Sequence, residues 1–129
     1  MVNGGPLLVK NGSEDVTVKH DGMVHPNDGN SFYYGWVHKR NPRTFAGTDA
    51  QGRTLLVTAD GRSTASLGLS LKEEADVAMS LGMVQAMNLD GGGSTTAVAG
   101  GKVLNSPSGG TERAVGDALV LLPARKEGQ

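Results

Sequence analysis

The residues whose types and spacing best suit chemistry stand together in "NLDGGGSTT", residues 88–96. Successive glycine N–H groups can form a concave nest for an anion, so Gly91–Gly93 followed by Ser94 indicate a phosphate-binding loop. No Gly-Lys-Ser/Thr follows the glycines, which excludes a P-loop, and Gly-x-Gly-x-x-Gly spacing is missing as well. By itself the glycine run is a weak signal.

The carboxylate beside this loop, Asp90, strengthens the signal. A negative charge would repel a bound anion unless it has another task, such as acid–base or nucleophilic chemistry or holding a cation. Asp60 follows the apolar run "TLLVTA" and is the natural second carboxylate. Paired acids suit glycosyl transfer, where one stabilises the developing oxocarbenium ion and the other moves protons. The alternative for Asp60 is a turn cap within Asp-Gly-Arg.

Three arginines, Arg43, Arg62 and Arg113, lie in polar segments next to predicted strands. A planar guanidinium is well matched to a phosphate or a carboxylate. For Arg113, a surface pair with Glu112 is the simpler alternative, and such a pair contributes little. Turns also favour Asn, Asp, Gly and Ser for local backbone reasons, so any one of these segments is equally well explained as a simple turn.

One helix and several short strands must position these residues. Ser70 and Glu73 have the spacing of a capping box, and Gly82 supplies a left-handed stop, which predicts a helix over about 70–82. The face that repeats at helical spacing consists of Leu71, Ala75, Ala78 and Leu81.

Apolar runs between turn signals predict the strands. They are "PLLVKNG" (6–12), "FYYGWVHKR" (32–40), a hairpin of "RTFAGTD" and "RTLLVTAD", "MVQAMNL" (83–89), a hairpin around Gly100-Gly101, and "DALVLLP" (117–123). The fold class is therefore α+β: a mixed β-sheet with one main helix and glycine-rich loops gathered at one edge. We predict a single domain over residues 1–123 and a disordered tail over residues 124–129.

Composition narrows the functional classes. The net charge of −1 argues against nucleic acid as a partner, since no global basic field is available. Cysteine is absent, which excludes disulfides and thiolate metal sites. No apolar run approaches the roughly 18 residues of a membrane span.

Two longer stretches closely resemble the phosphodiester glycosidase domain family. They are "NPRTFAGTDAQGRTLLVTADGR" and "LSLKEEADVAMSLGMVQAMNLDGGGSTTAVAGGKVLNSPSGGTERAVGDALVL". The resemblance runs from about Gly4 to about Leu122. It implies a hydrolase of sugar-1-phosphodiesters of the N-acetylglucosamine-1-phosphodiester kind, which cleaves the anomeric C–O bond and releases free sugar and a phosphomonoester. It also implies a role in carbohydrate metabolism, in bacteria often connected with exopolysaccharide, and a secreted or cell-envelope location.

Carried over by position, the resemblance implies two sets of site residues. Asp60 and Asp90 would serve as acid, base or nucleophile. The substrate- or phosphate-binding set would consist of Arg43, Thr44, Arg62, Asn88, Gly91, Gly92, Gly93, Ser94, Asn105 and Arg113. A phosphodiester leaves easily, so stabilising its charge should matter more than protonating it. No cofactor is expected; Asp60 and Asp90 could hold a divalent cation, although no metal-ligand set is spelled out.

Family members generally carry further residues of the domain before the stretch that corresponds to "GGPLLV", and this chain begins almost there. Missing strands would leave a sheet edge open, and an open edge invites pairing with another chain. We therefore expect an excised piece, a minimal version that forms a homo-oligomer, or a domain completed by another polypeptide. Two alternatives to a hydrolase are a non-catalytic module that binds carbohydrate or phosphate, and a structural domain of an envelope or phage protein.

Overall fold

The computed structural model describes residues 2–20, 33–126 and 128. Its strands are β1 (Leu7–Lys10), β2 (Ser13–Glu14), β3 (Arg43–Asp49), β4 (Thr54–Ala59), β5 (Met83–Asn88), β6 (Val98–Ala99) and β7 (Lys102–Val103), and its α-helix is α1 (Leu71–Ser80). Five strands form one sheet in the order β2-β1-β5-β3-β4, and β6 and β7 form a separate hairpin. The predicted α+β class is confirmed. The strand pairs of the described chain are antiparallel rather than mixed, because β5 enters between β1 and β3 and runs opposite to both.

Helix α1 begins and ends where its capping residues predict. The Ser70 hydroxyl accepts a hydrogen bond from the Glu73 N–H at 3.2 Å, and Gly82 adopts a left-handed φ of 81° after the last turn. Three of the four residues predicted to face the core are fully buried: Leu71, Ala75 and Ala78. The prediction for Leu81 was wrong, since the helix ends at Ser80 and Leu81 turns away with 44% of its surface exposed.

The core lies between α1 and one face of the sheet. It consists of Leu8, Val9, Val37, Phe45, Leu71, Ala75, Ala78, Met83 and Ala86. The helix packs on β1 and β5, and Phe45 brings the neighbouring strand β3 into the same cluster. A fully buried side chain of the size of Phe45 contributes about 1.5–3 kcal/mol through removal of its apolar surface from water.

Two predicted strands are absent from the described chain. The stretch 33–40 forms a short π-helical turn over Tyr34–His38, because carbonyls that a strand would pair are taken by side chains: Gly35 O by Asn41 and Trp36 O by Arg43. Phe32, the first residue of that predicted strand, lies outside the described residues. The stretch 117–123 runs without secondary structure, since no strand of the described chain lies beside it to share main-chain hydrogen bonds.

A buried carboxyl group on α1 lies beside the buried guanidinium at the start of β3. Glu74 has no exposed surface, and its carboxylate lies 3.8 Å from Nε of Arg43, which is itself 3% exposed. That distance is too long for a hydrogen bond, and neither Glu74 oxygen has a donor within the described chain. Burial raises the pKa of Glu74 to about 8, against an opposing effect of the Arg43 charge. The side chain is therefore mostly protonated at neutral pH.

This pKa predicts a pH dependence of stability. The folded state holds the Glu74 proton more tightly than the unfolded chain, so the stabilising contribution is complete below about pH 4.5 and is lost as the pH rises to about 8. Between pH 5 and pH 8, the free energy of unfolding of the natural chain should fall relative to that of Glu74→Gln, on the order of 1 kcal/mol per pH unit. Urea unfolding at several pH values measures the difference.

The matched control is Glu73→Gln. Glu73 lies one residue away on the same helix and pairs with Arg40 at the surface, which lowers the pKa of Glu73. Its titration therefore lies below the tested range, and this variant should keep the pH profile of the natural chain. Parallel profiles for the natural chain and Glu74→Gln would contradict the assignment.

Candidate active site

Strand direction brings the polar segments to one edge of the sheet. Strand β3 runs antiparallel to both neighbours, with Arg43 opposite Ala59 of β4 and Phe45 opposite Asn88 of β5. The beginning of β3 and the ends of β4 and β5 therefore meet at the same edge. The segments that follow Ala59 and Asn88 contain Asp60 and Asp90, so sheet topology alone places both predicted acids on this side.

Asn41 connects three of the segments at this edge. Its main chain exchanges two hydrogen bonds with Leu69, at 3.1 and 2.9 Å. Its side-chain amide donates to the carbonyls of Gly35 and Lys39, and its Oδ1 accepts from Nη2 of Arg62 at 3.1 Å. This residue was not among the predicted site residues, although it is the first residue of the family-like stretch that begins "NPRTF".

Arg43 is buried and largely committed to the main chain. Its Nε donates to the Leu69 carbonyl at 2.8 Å, and its Nη2 donates to the Trp36 carbonyl at 2.7 Å. Burial lowers the pKa of Arg43, and the Glu74 carboxyl opposes that effect only where it is ionised. Most of its donors are therefore used to hold the chain around the site, which leaves little for the predicted phosphate contact.

The glycine loop packs against the residue before Arg43. Leu89 N donates to Thr44 O at 2.8 Å, and Gly92 N donates to Pro42 O at 2.9 Å. A side chain at position 91 would lie 2.7 Å from the Pro42 carbonyl oxygen, so only glycine permits this approach. Gly92 has a φ of +59° and begins a single 3₁₀ turn, Gly92–Ser94. Because the Gly92 amide bonds within the fold, the predicted anion nest does not have all three glycine amides at its disposal.

Two arginines lie against the part of this loop that contains Gly92 and Gly93. Nη2 of Arg62 lies 3.2 Å from where a Cβ of Gly92 would be, and Nη1 of Arg113 lies 3.1 Å from the same point on Gly93. Arg113 also donates a hydrogen bond to the Ser94 hydroxyl. Both arginines are exposed. We call Arg62 and Arg113 the arginine pair; the structure brings them together with three of the predicted phosphate-binding residues.

Asp60 is bound to the segment that contains Asn105. Its Oδ1 accepts from Nδ2 of Asn105 at 3.0 Å, and both of its carboxylate oxygens lie 3.0 Å from the N–H of Ser106. Asn105 in turn accepts from Ala97 N at 2.8 Å and donates to Thr95 O at 2.9 Å. The carboxylate of Asp60 thus holds two loops together, and this residue does not line the pocket described next.

Thr44 makes its contact below the glycine loop. Its hydroxyl lies 3.2 Å from the hydroxyl of Thr95, which is completely buried. The pair joins β3 to the residue that follows the 3₁₀ turn. Thr44 therefore supports the loop from beneath.

A pocket of about 320 Å³ opens beside the part of the loop that contains Asp90 and Gly91. It is lined by Asn3, Gly4, Gly5, Trp36, Arg43, Asn88, Leu89, Asp90 and Gly91. Four of these residues were predicted site residues, and Trp36, Leu89 and the segment 3–5 were missed. Trp36 is the single tryptophan of the sequence, and that was the only signal that could have drawn attention to it.

Asn88 is 8% exposed and has one unmatched polar atom. Its Nδ2 donates to the Gly5 carbonyl at 2.8 Å, which fixes the orientation of the amide. Its Oδ1 has no donor among the residues that the structure describes.

Across the same residues, no group of three or more His, Asp or Glu side chains is placed to hold a metal ion. No helix of the described chain is long and apolar enough to cross a membrane.

Known proteins are similar to this chain in sequence. N-acetylglucosamine-1-phosphodiester alpha-N-acetylglucosaminidase of Homo sapiens is 32% identical over 108 residues, which are 84% of this chain and 21% of the human protein. An SPbeta prophage-derived protein of Bacillus subtilis is 38% identical over 85 residues, which are 66% of this chain and 13% of that protein. The chain thus spans about a fifth or less of the length of these relatives.

Solved structures are similar to this chain in fold. The catalytic domain of zebrafish N-acetylglucosamine-1-phosphodiester alpha-N-acetylglucosaminidase, auto-inhibited by its pro-peptide, superposes with a TM-score of 0.70 at 27% identity, over 82% of this chain and 34% of that one. A protein of Burkholderia pseudomallei superposes with a TM-score of 0.69 at 50% identity, over 78% of this chain and 20% of that one. The sequence profile described as phosphodiester glycosidase matches residues 1–122. The chain therefore belongs to the phosphodiester glycosidase family.

Proposed function

We propose that this chain carries the active site of a hydrolase that cleaves sugar-1-phosphodiesters, with N-acetylglucosamine as the sugar. The proposal is carried by the path of the glycine loop. At one end of the loop Asp90 lines a pocket of about 320 Å³, and two residues later Gly92 contacts Arg62 of the arginine pair. The site thus has a carboxylate beside a cavity, and two guanidinium groups farther along the same loop. This arrangement suits a substrate with a neutral ring on one side and a phosphate on the other.

The arginine pair would take the phosphate. Arg62 and Arg113 are exposed, and each guanidinium lies against a glycine of the loop, so both can offer charged donors to an anion that binds from solution beside the loop. The Ser94 hydroxyl, which accepts from Arg113, would complete the set of donors. As the sugar–oxygen bond breaks, negative charge accumulates on the phosphate. Fixed positive charges at that position lower the barrier more than a proton donor would.

Asp90 would act at the anomeric carbon, either as nucleophile or as the base that takes a proton from water. The overall balance is the same for both routes. The oxygen of water becomes bonded to the anomeric carbon, the anomeric C–O bond breaks, and its electron pair leaves on the phosphate oxygen. The proton that water loses passes to that phosphate oxygen or to solvent. Free sugar and a phosphomonoester result. We give Asp60 a positioning role, since its carboxylate already accepts from Asn105 and Ser106.

The relatives support the substrate class. The curated mammalian proteins that match this chain are named as N-acetylglucosamine-1-phosphodiester glycosidases, and so is the zebrafish structure. The match includes the stretch that carries Asp90, Ser94 and Arg113, because the family profile covers residues 1–122.

Asp90→Asn tests the chemistry. The amide keeps the size of the side chain but is neither a nucleophile nor a base, so release of N-acetylglucosamine from its methyl-phosphodiester should fall about a hundredfold to ten-thousandfold. A reducing-sugar assay on the chain measures the release, and thermal unfolding checks the fold. Asp117→Asn, at another exposed aspartate, is the control and should keep full turnover. Normal turnover by Asp90→Asn would remove Asp90 from the mechanism.

Arg62→Ala and Arg113→Ala test the phosphate site. Each substitution removes a charged donor, so the affinity for inorganic phosphate should fall about tenfold in calorimetry. Arg125→Ala is the matched control, since Arg125 is also exposed and is not among the nearest neighbours of Gly91, Gly92 or Gly93 in the described chain. Unchanged phosphate affinity in both site variants would contradict the assignment.

A further inference from the structure

Trp36 stands on the pocket wall in a fixed position. Its carbonyl accepts from Nη2 of Arg43 at 2.7 Å, and the adjacent Val37 is 7% exposed within the core. The turn that carries it is held a second time where Asn41 donates to the Gly35 carbonyl at 3.0 Å. Trp36 nevertheless keeps 38% of its own surface exposed. A large, partly exposed aromatic side chain on an anchored main chain at the side of a cavity is a ready surface for the flat apolar face of a ligand.

Asn88 lines the same pocket and needs a hydrogen-bond donor. Its side-chain amide bonds to the Gly5 carbonyl at 2.8 Å, so Oδ1 is the atom that remains an acceptor. That oxygen has no partner within the described chain. Buried polar atoms are nearly always satisfied in folded proteins, and a ligand hydroxyl or N–H would satisfy this one.

The charges around the pocket disfavour an anion there. Asp90 contributes a carboxylate to the wall, and the one guanidinium on the wall, that of Arg43, has its Nε and Nη2 bonded to main-chain carbonyls. The arginine pair contacts Gly92 and Gly93, beyond the part of the loop that lines the pocket. A volume of about 320 Å³ lies at the small end of ligand sites, which extend from about 300 to 1,000 Å³.

We infer that this pocket is the sugar subsite: the Trp36 indole packs on the apolar face of a neutral pyranose ring, and Asn88 Oδ1 accepts from a hydroxyl or N-acetyl N–H of that ring. The inference rests on the proposed function and divides its substrate between two places. The ring lies between Trp36 and Asp90, and the phosphate lies with the arginine pair. Binding of the neutral sugar and of the phosphate should therefore be separable.

The single tryptophan makes a direct test possible, since all indole fluorescence of the chain comes from Trp36. Titration of the natural chain with N-acetylglucosamine should shift this emission to shorter wavelength, because the ring displaces water from the indole. Inorganic phosphate alone should leave the emission unchanged. No shift at saturating sugar, or an equal shift with phosphate, would overturn the inference.

Variants give the second readout, by calorimetry. Trp36→Ala should weaken N-acetylglucosamine binding by on the order of tenfold or more and keep the affinity for inorganic phosphate within about twofold. Trp36→Phe retains an aromatic ring and should keep most of the sugar affinity. Tyr34→Ala is the matched control, because Tyr34 is an exposed aromatic residue on the same turn that does not line the pocket. Natural sugar affinity in Trp36→Ala would overturn the inference.

These results are distinguishable from those that test hydrolysis. If the chain binds the neutral sugar at Trp36 but Asp90→Asn turns over normally, the proposed mechanism fails and the subsite stands. If the chain releases sugar from the diester but Trp36 responds to no sugar, the subsite fails and the hydrolase stands.

Discussion

The candidate site depends on the contacts of one short segment, Asn41–Arg43. The Pro42 carbonyl accepts a hydrogen bond from the Gly92 amide of the glycine loop. Asn41 and Arg43 donate or accept hydrogen bonds that connect this segment with Trp36, Arg62 and Leu69. The segment leads directly into β3, which lies between β4 and β5 in the sheet. The loops at this edge are thus fastened to a strand that is paired on both sides, and a rigid strand is a better support for reacting groups than a loop.

The buried Arg43–Glu74 pair has an unusual electrostatic balance. Because the pKa of Glu74 is raised to about 8, the carboxyl is mostly neutral at pH 7 and does little to offset the positive charge. That charge is stabilised instead by the carbonyl dipoles of Leu69 and Trp36, at 2.8 and 2.7 Å. Removing the guanidinium would leave those carbonyls without their donor, so Arg43 contributes to the shape of the pocket as well as to its charge.

Features that depend on residues close together in the chain were predictable from the sequence, and features that depend on residues far apart in the chain were not. The α1 boundaries were predictable, because Ser70, Glu73 and Gly82 act through bonds within a single helical turn. The turn Tyr34–His38 was not, since its carbonyls are claimed by Asn41 and Arg43, which a local strand pattern does not reveal. The glycine loop was singled out from its composition, but the hydrogen bond from Gly92 N to Pro42 O spans 50 positions of the chain and leaves no local pattern.

The same limit applies to the acids. Sequence placed both Asp60 and Asp90 after strands, and the shared sheet edge follows from that placement. The sequence did not reveal that Asn105 and Ser106 donate hydrogen bonds to the Asp60 carboxylate. A hydrogen bond between residues 45 positions apart is a property of the folded chain and leaves no local pattern. Trp36 was overlooked for a related reason: within "FYYGWVHKR" it is one aromatic residue among several, and only the fold separates it from its neighbours.

The opposite end of the β3–β4 hairpin has a practical consequence. Asp49 there accepts hydrogen bonds from Gln51 N and Arg53 N, at 3.0 and 2.9 Å, so the turn is organised by its own first residue. The residues between are exposed, and the seven residues of β3 place this turn roughly 20 Å from the site edge. A fluorescent label or a solid support attached at Gln51 would therefore not obstruct the pocket. This turn is a suitable position for immobilising the protein while its site stays open to solution.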